Sequence, residues 1–313
     1  MKAIVQDVYG NADVLRLADV DPPTPGPKDV LVRVHAAGVD RGAWHAMTGL
    51  PLIARAGFGP RRPRNPTPGM DLAGVVEAVG AEAGDLKVGD EVFGSGTSTW
   101  AEYALARPGK LARKPAHLSF EQAAALPTSA CTARRMIGDA ADGGQTLIIG
   151  AGGGVGSFAV LLATARGDRV TGVCSTGKVA AVRSIGADQV IDYTREPLTG
   201  RYELIVDVAG NRSLRELRAL LTPRGRLMLA GGEDGGRWLG GMERSLRLFA
   251  LAPFVKQRLG APIVLTRRDV LETLTGVTPL IGEVHPLAEA PTAMARLAAG
   301  QITGKAVLTV DHS

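Results

Sequence analysis

Cysteine is scarce in this sequence, which contains two in 313 residues, Cys131 and Cys174. Two cysteines are too few for a disulfide-stabilised scaffold or a cysteine-rich zinc site, so a reducing compartment, the cytoplasm, is the expected location. No apolar run approaches the roughly 20 residues of a membrane span. The first residues also lack the basic segment and long apolar run typical of a secretory signal. We therefore expect no targeting address and no membrane partner.

Aromatic residues are few, at 4% of the chain, and they form no base-stacking platform. The formal net charge is +5, but the basic residues are scattered, apart from a tight cluster of Arg61, Arg62 and Arg64. We therefore expect no nucleic acid partner. Hydrophobic residues at 45% and charged residues at 21% exclude a disordered chain, and the length favours two domains.

The pattern of the chain changes near Ser119. Up to residue 118, short apolar segments such as DVLVRVHAAGV and LAGVVEAVG are separated by Gly and Pro, which predicts a β-rich partial barrel. The following SFEQAAALPTSACTARRMI has helical periodicity, with Ser119 as N-cap. We predict a first domain over 1–118, a second over 119–265, and a return to the first over 266–313, ending on the strand KAVLTV.

The middle of the chain alternates apolar strands with helices. The strands are TLIIG, RVTGVC, QVIDY, ELIVDVAG and RLMLAGG, and helical segments such as VGSFAVLLATARG and SLRELRALLT lie between them. This alternation is typical of a doubly wound parallel sheet. The predicted fold class is therefore α/β, with a β-rich domain formed by both ends of the chain.

A glycine-rich run from Leu147 to Gly156, LIIGAGGGVG, leaves an apolar strand and opens a helix. Glycines let backbone N–H groups approach a pyrophosphate, and the helix N-terminus adds positive potential. Gly156 would allow the helix to pack closely on the strand. This context predicts a dinucleotide-binding site, and a purely structural turn is the alternative.

The next strand, RVTGVC, predicts which dinucleotide is bound. An NAD site usually has a carboxylate at the end of this strand for the ribose 2′-hydroxyl, whereas Cys174 is followed here by Ser175, Thr176, Gly177 and Lys178. The two hydroxyls and the ammonium favour the 2′-phosphate of NADP. An ordinary solvated lysine is the alternative for Lys178.

These motifs, together with PGMDLAGVVEAVG, GDEVFG and GKAVLTV, resemble the zinc-independent medium-chain dehydrogenase/reductases of the quinone oxidoreductase-like branch. The resemblance covers nearly the whole chain. It implies a GroES-like catalytic domain made from both termini, enclosing a Rossmann domain, with the active site in the cleft between them. It also implies a homodimer.

The resemblance further implies which residues contact NADPH. The pyrophosphate would be held by Gly152, Gly153, Gly154 and Val155. The 2′-phosphate would be surrounded by Ser175, Lys178 and Tyr193, although Tyr193 has a packed core aromatic as its alternative. Thr128 and Thr132 would line the nicotinamide, with Gly231 and Lys305 as further contacts. For Lys305 the alternative is a solvated charge at the end of a strand.

No metal is expected. Zinc-dependent relatives carry a cysteine and a His-Glu pair at two positions where this chain has Asp40 and the pair Met70 and Asp71. The histidines are dispersed over the chain, at His35, His45, His117, His285 and His312. A lone histidine is more often a packing or surface residue than a ligand.

Without a metal, the hydride acceptor must already be polarised by conjugation, as in a quinone or an enone. Asp40 stands where the family usually has Asn, and a carboxylate donates a hydrogen bond only when protonated. We expect Asp40 to act in the substrate pocket and not as a helix cap, with Arg41, Trp44 and His45 beside it. A capping aspartate is the alternative, and Thr132 is the second catalytic candidate.

The leading expectation is an NADPH-dependent reductase of quinones or enones. A reductase of enoyl thioesters or another biosynthetic intermediate and a non-catalytic NADPH-binding protein are the alternatives. The segments 133–144 and 267–278 look shorter than the family's usual helices, which predicts an altered cleft or dimer edge. The loop from Met47 to Pro66 is a candidate wall of the substrate site.

Overall fold

The structure is a computed structural model that describes residues 1–138, 143–232 and 235–312. It divides into two compact units, the first formed by Met1–Cys131 and Leu265–Ser313 and the second by Thr132–Val264. In the described ranges, no helix combines the length and the apolar character that crossing a membrane requires.

Strands and helices of the described residues are numbered in chain order. The strands are β1 (Lys2–Val5), β2 (Arg16–Asp19), β3 (Val30–Val39), β4 (Asp71–Val79), β5 (Glu91–Thr97), β6 (Tyr103–Arg113), β7 (Gln145–Ile149), β8 (Arg169–Cys174), β9 (Gln189–Asp192), β10 (Tyr202–Asp207), β11 (Leu221–Leu229), β12 (Arg258–Gly260), β13 (Ile281–Pro286) and β14 (Lys305–Thr309). The helices are α1 (Arg41–Thr48), α2 (Arg55–Phe58), α3 (Phe120–Ala125), α4 (Pro127–Ile137), α5 (Gly154–Ala165), α6 (Val179–Ser184), α7 (Leu214–Leu220), α8 (Met242–Leu251), α9 (Arg268–Glu272) and α10 (Ala290–Ala298).

The first unit is built on a sheet in the order β13-β14-β3-β4-β5-β6, and a further pairing of β3 with β6 closes a barrel. Alternate residues of β3, including Val30, Val32 and Val34, are buried in the core, as the period of two predicts. β14 pairs antiparallel with β3, so the end of the chain joins the same sheet as its beginning. The predicted β-rich domain made from both termini is confirmed.

The second unit is a parallel sheet in the order β12-β11-β10-β7-β8-β9. Its central strands contain apolar runs, and Leu147, Ile205 and Leu227 form part of the core. The strand order reverses between β7 and β10. In such sheets, ligands bind outside the carboxyl ends of the strands at that reversal. The predicted doubly wound sheet is confirmed.

The boundary between the units differs from the predicted one. Ser119 caps α3 as predicted, in a reciprocal capping box with Gln122. The buried residues Ala123–Ala125 pack this helix against β3 and β4, so it remains with the first unit and the division falls after Cys131, not after residue 118. The single predicted helix is two, because Pro127 cannot donate a backbone hydrogen bond and begins α4.

Of the two segments that the sequence singled out, one is described in part and the other in full. The predicted short connection over 133–144 includes residues 139–142, which lie outside the described residues. The segment 267–278 contains α9, where Arg268 pairs with Asp85 at 2.5 Å and 2.9 Å.

Candidate cofactor and active site

The glycine-rich turn after β7 requires glycine for two separate reasons. Gly150 has a φ of +86°, in the left-handed region that disfavours other residues. A Cβ on Gly156 would collide with the carbonyl oxygen of Gly150, so only glycine lets α5 pack this close to the turn. These two constraints bring the start of α5 against the carboxyl end of β7, at the reversal of strand order.

The N-terminus of α5 fits a pyrophosphate. The helix has twelve residues, begins at Gly154 and has Gly153 as its N-cap. By helix geometry, the N–H groups of its first turn, including those of Gly154 and Val155, have no acceptor within the helix. The structure thus brings the predicted contacts Gly152, Gly153, Gly154 and Val155 together on one anion-binding turn.

Lys178 lies against this turn. A Cβ on Gly152 would lie 2.7 Å from Cδ and 2.9 Å from Cβ of Lys178, so the absence of a side chain at Gly152 makes room for the lysine stem. Lys178 is half-buried, and Ser175, also half-buried, stands just before the same short turn. Lys178 is therefore not an ordinary solvated lysine, which was the alternative for this position. The structure therefore places the stem of Lys178 against the glycine-rich turn.

The expectation that the Thr176 hydroxyl donates a hydrogen bond to a phosphate is corrected by the structure. Its hydroxyl donates instead to Oδ2 of Asp192 at 2.5 Å. Hydrogen bonds from Thr176 and Thr194 hold the pKa of Asp192 below its ordinary value, and Arg195 lies 3.5 Å from the same carboxylate. A carboxylate is thus present beside the end of β8 after all, contributed by β9, and its charge is compensated.

Asp192 and Arg195 were missed by sequence reasoning, although the parallel pairing of neighbouring strands is a signal that could have found them. Parallel pairing places Cys174 opposite Asp192, so the residues that follow β8 and β9 lie side by side. Tyr193 follows Asp192 and is 47% exposed, so the packed core aromatic considered for this position is wrong.

Gly231 follows β11 with a φ of +85°, where a Cβ would lie 2.9 Å from the carbonyl oxygen of Val208. Backbone conformation alone therefore requires glycine at Gly231.

Asp40, in the first unit, is a helix cap. Its Oδ1 accepts a hydrogen bond from the backbone N–H of Ala43 at 2.9 Å, at the start of α1. The expectation that Asp40 is not a cap is therefore wrong, because the chain turns directly from β3 into α1 and the first turn needs an acceptor. Asp40 is 6% exposed, and its buried Oδ2 has no hydrogen-bond partner within the described ranges.

A second carboxylate, Asp71, lies next to this cap and was not singled out from the sequence. Asp71 is fully buried at the start of β4, across the sheet from Gly38, where a Cβ would lie 3.0 Å from Cβ of Asp71. Its Oδ2 accepts from the backbone N–H of Thr128 at 3.0 Å, and its Oδ1 accepts from the Thr128 hydroxyl at 2.7 Å. The Ser95 hydroxyl also donates to Oδ1, at 3.1 Å. Asp71 thus fixes both backbone and side chain of Thr128.

Burial and the negative charge of Asp40 raise the pKa of Asp71 to about 7, against the opposing effects of Lys305 and Thr128. Lys305 is 2% exposed and donates to the Ser129 hydroxyl at 3.1 Å, so the solvated strand-end charge considered for it is wrong. The buried site contains two carboxyl groups and one ammonium. One proton held by Asp71 would leave this group of three charges neutral.

Thr128 and Thr132, the predicted nicotinamide contacts, are both half-buried and lie four residues apart on α4. Residues at this spacing share a helix face. The structure therefore brings the two hydroxyl side chains to one face of one helix, and Asp71 holds the first of them.

Comparison with known proteins identifies the family. A family profile described as alcohol dehydrogenase GroES-like domain matches residues 26–116, and one described as zinc-binding dehydrogenase matches 185–308. The human quinone oxidoreductase is 33% identical over 249 residues, covering 74% of this chain and 73% of that protein. The chain belongs to the quinone oxidoreductase-like medium-chain dehydrogenase/reductases.

Two other comparisons agree with this membership. A chloroplastic NADPH-dependent alkenal/one oxidoreductase of Arabidopsis thaliana is 34% identical over 232 residues, covering 67% of this chain and 58% of that protein. The solved structure of the quinone oxidoreductase from Coxiella burnetii superposes with a TM-score of 0.85, at 26% identity, over 99% of each chain. This quinone oxidoreductase-like protein therefore shares its fold over nearly its whole length.

The positions of the zinc ligands in zinc-dependent relatives have other roles in this quinone oxidoreductase-like chain. Asp40 caps α1, and Asp71 accepts hydrogen bonds from Thr128 and Ser95. Across the described residues, no group of three or more His, Cys, Asp or Glu side chains is arranged to hold a metal ion. One profile that matches the chain nevertheless carries a zinc-binding description.

We expect the free energy of unfolding of Asp40→Ala to be about 0.5 to 2 kcal/mol below that of Asp40→Asn, because the N–H of Ala43 loses its acceptor only in the alanine variant. Both variants remove the charge that raises the pKa of Asp71, so the difference between them isolates the cap. Urea unfolding of both variants checks these values. If Asp40 also acts on the substrate, Asp40→Asn will change kcat at saturating cofactor. Unchanged kinetics with a stability loss in Asp40→Ala would restrict Asp40 to capping.

Proposed function

We propose that this protein is an NADPH-dependent oxidoreductase that reduces a conjugated carbonyl acceptor, a quinone or an enone, without a metal. The observation that carries the proposal is the stem of Lys178 lying against Gly152, beside the N-terminus of α5. An ammonium at this place favours a cofactor with a third phosphate. Family membership and the names of its relatives support the acceptor class.

In this proposal the second unit binds the cofactor. N–H groups of the turn Gly152–Val155 hold the pyrophosphate, and Ser175 and Lys178 hold the 2′-phosphate, with Tyr193 beside them. Gly231 is a further contact of the cofactor. Arg195 neutralises Asp192 and so reduces the repulsion between this carboxylate and the phosphate. Bound NADPH supplies the hydride.

Thr128 and Thr132 line the nicotinamide in the proposal, and Asp71 acts as a positioning residue through Thr128. When Asp71 is protonated, the hydrogen bond with Thr128 is reversed: the Asp71 carboxyl donates to the Thr128 hydroxyl, which is then able to donate to an acceptor oxygen that gains negative charge. Asp40 acts by raising the pKa of Asp71, and Lys305 balances the charge of the pair. This assigns Lys305 to the first unit's carboxyl site, in place of a direct cofactor contact.

The experiment that tests the proposal is the oxidation of NADPH by the purified protein with a panel of small quinones and enones. Loss of NADPH that depends on both enzyme and acceptor, and faster than with NADH, is the expected result. Binding of NADPH without turnover on any acceptor would favour the non-catalytic alternative. Failure to bind NADPH would overturn both.

A homodimer in the cytoplasm completes the proposal. Cys131 and Cys174 are free and buried, which supports a reducing compartment. Met242, Leu246 and Phe249 are exposed on α8 at helical spacing, as on a surface that a second copy covers. Light scattering after size-exclusion chromatography measures the oligomeric state, and a monomer at micromolar concentration would contradict the dimer.

A further inference from the structure

The buried carboxyl of Asp71 has one hydrogen-bonded route toward the surface of the first unit. Its Oδ1 accepts from two hydroxyls, that of Thr128 at 2.7 Å and that of Ser95 at 3.1 Å, while its Oδ2 accepts from the backbone N–H of Thr128 at 3.0 Å. Within the described ranges, no other group donates a hydrogen bond to this carboxyl. Thr128 belongs to the proposed site, so Ser95 is the remaining neighbour through which Asp71 can exchange a proton along hydrogen bonds.

The register of the barrel strands places Ser95 beside Asp71. β4 and β5 pair antiparallel, with Asp71 directly opposite Ser95. Residues opposed in this way lie on the same face of the sheet with their Cβ atoms about 4.5 to 5.5 Å apart, which is within reach of a serine hydroxyl and a carboxyl oxygen. Ser95 is itself buried. The contact is therefore fixed by strand pairing and is shielded from bulk water.

The route continues from Ser95 to Thr266. The two hydroxyl oxygens lie 2.8 Å apart, and Thr266 belongs to the same unit, near the start of the segment by which the chain returns to it. Thr266 is only half-buried, and the residues on either side of it, Leu265 and Arg267, are exposed. Burial thus decreases from Asp71 through Ser95 to Thr266, so that water reaches the outer end of the route.

The chemistry of these side chains suits the transfer of a proton. A hydroxyl both donates and accepts hydrogen bonds, so it can take up a proton on one side while it releases its own on the other. Burial and the charge of Asp40 raise the pKa of Asp71 to about 7, so its carboxyl exchanges a proton readily near neutral pH. The other titratable groups that face Asp71 are Lys305 in β14 and the Cys131 thiol in α4. The charged groups adjust the proton affinity of Asp71, and the hydroxyls provide the path.

We propose that a proton relay in the first unit delivers the proton of the reduction from water to the acceptor oxygen. Its members, from the surface inward, are Thr266, Ser95, Asp71 and Thr128. Both inner hydroxyls contact the same carboxyl oxygen, Oδ1 of Asp71, so a proton received from Ser95 faces Thr128 after a turn about one C–O bond. The inference rests on the proposed function, because Thr128 is the member that contacts the acceptor.

The relay balances the proposed reaction with water as the only further reactant. The acceptor is reduced by a hydride from bound NADPH, which is oxidised to NADP⁺, and a negative charge is left on the acceptor oxygen. The Thr128 hydroxyl gives its proton to that oxygen and takes the proton of the Asp71 carboxyl. Asp71 then takes the proton of Ser95, as Ser95 takes that of Thr266 and the outermost hydroxyl takes one from water. Because these shifts are concerted, no hydroxyl is left ionised, and each turnover consumes one hydride and one proton.

Thr266→Val removes the outer hydroxyl and preserves the shape of the side chain. With a quinone or enone that the wild type reduces, we expect kcat to fall at least about tenfold and the solvent deuterium isotope effect on kcat to increase, because proton delivery becomes limiting. Ser95→Ala should act in the same way, and Ser95→Thr, which keeps the hydroxyl, should restore both values. The control Thr97→Val removes an exposed hydroxyl from the same strand as Ser95 and should behave like the wild type.

Proton uptake by Asp71 is measured independently, in full-length protein without cofactor or acceptor. After a rapid drop in pH from above to below the pKa of Asp71, infrared spectroscopy follows the C=O band of the protonated carboxyl, which is identified by its absence in Asp71→Asn. We expect uptake at least about tenfold slower in Thr266→Val and Ser95→Ala, and unchanged in Thr97→Val.

The outcomes separate the relay from the proposed function. Wild-type kcat and isotope effect in both Thr266→Val and Ser95→Ala would overturn the relay, and so would wild-type rates of proton uptake. Absence of turnover with every quinone and enone in the wild type would instead refute the proposed function. In that case the uptake rates alone decide whether the hydroxyls carry protons to Asp71.

Discussion

The wild-type protein is expected to lose stability relative to an Asp71→Asn variant as the pH rises from about 4 to about 8, by up to about 4 kcal/mol. In the folded protein, burial and the charge of Asp40 raise the pKa of Asp71 to about 7. In the unfolded chain the same carboxyl loses its proton near pH 4. Between these values the folded state binds more protons, so the free energy of unfolding decreases as the pH rises.

Urea unfolding of both proteins at several pH values measures this difference, and subtracting the two curves removes the contributions of the other titrating groups. Asp85→Asn is the matched control in the same unit, because hydrogen bonds from Arg268 and Arg113 lower the pKa of Asp85. The stabilisation from Asp85 is lost only as the pH falls below about 4, so this variant should run parallel to the wild type above about pH 5. Parallel curves for Asp71→Asn would mean that Asp71 is ionised throughout.

The same carboxyl should influence turnover, since Asp71 holds both the backbone and the hydroxyl of Thr128. If the protonated form of Asp71 is needed, kcat will fall as the pH rises through about 7. Asp40→Asn removes the neighbouring charge and should move this fall to lower pH. A merely structural role of Asp71 would leave the position of the fall unchanged.

Lys178→Ala is expected to weaken NADPH binding by at least about tenfold, because a charge-assisted hydrogen bond to phosphate contributes about 1.5 to 3 kcal/mol. NADH lacks the 2′-phosphate, so its affinity should change much less. The lysine stem lies against Gly152, in the glycine-rich turn, so we expect this substitution to act directly on cofactor binding. Fluorescence titration of both cofactors measures the preference for NADPH and its decrease in the variant.

Lys256→Ala is the matched control, since Lys256 is an exposed lysine of the same unit that follows α8. It should retain the wild-type preference for NADPH. Equal affinities of the wild type for NADPH and NADH would refute the assignment of Ser175 and Lys178 to a 2′-phosphate. Arg195→Ala should also reduce the preference for NADPH, because Arg195 would no longer offset the charge of Asp192.

Local patterns in the sequence were sufficient to predict the class of fold and the anion-binding turn. Alternation in β3, continuous apolar strands such as β7, and the capping residue Ser119 depend on neighbours within a few positions. The glycine-rich turn is likewise one continuous segment, so its role can be recognised before the chain is folded. The boundary after Cys131 was missed because it depends on which sheet α3 packs against.

The carboxyl site was decided by tertiary structure alone. Asp40, Asp71, Thr128 and Lys305 come from four separate segments, and neither their burial nor their mutual distances follow from spacing along the chain. A carboxyl group in water is ionised at neutral pH, whereas burial and the charge of Asp40 raise the pKa of Asp71 to about 7. The sequence by itself thus determined that a dinucleotide fold forms with an anion-binding turn. Only packing raises the pKa of Asp71, because desolvation and charge proximity exist only in the folded chain.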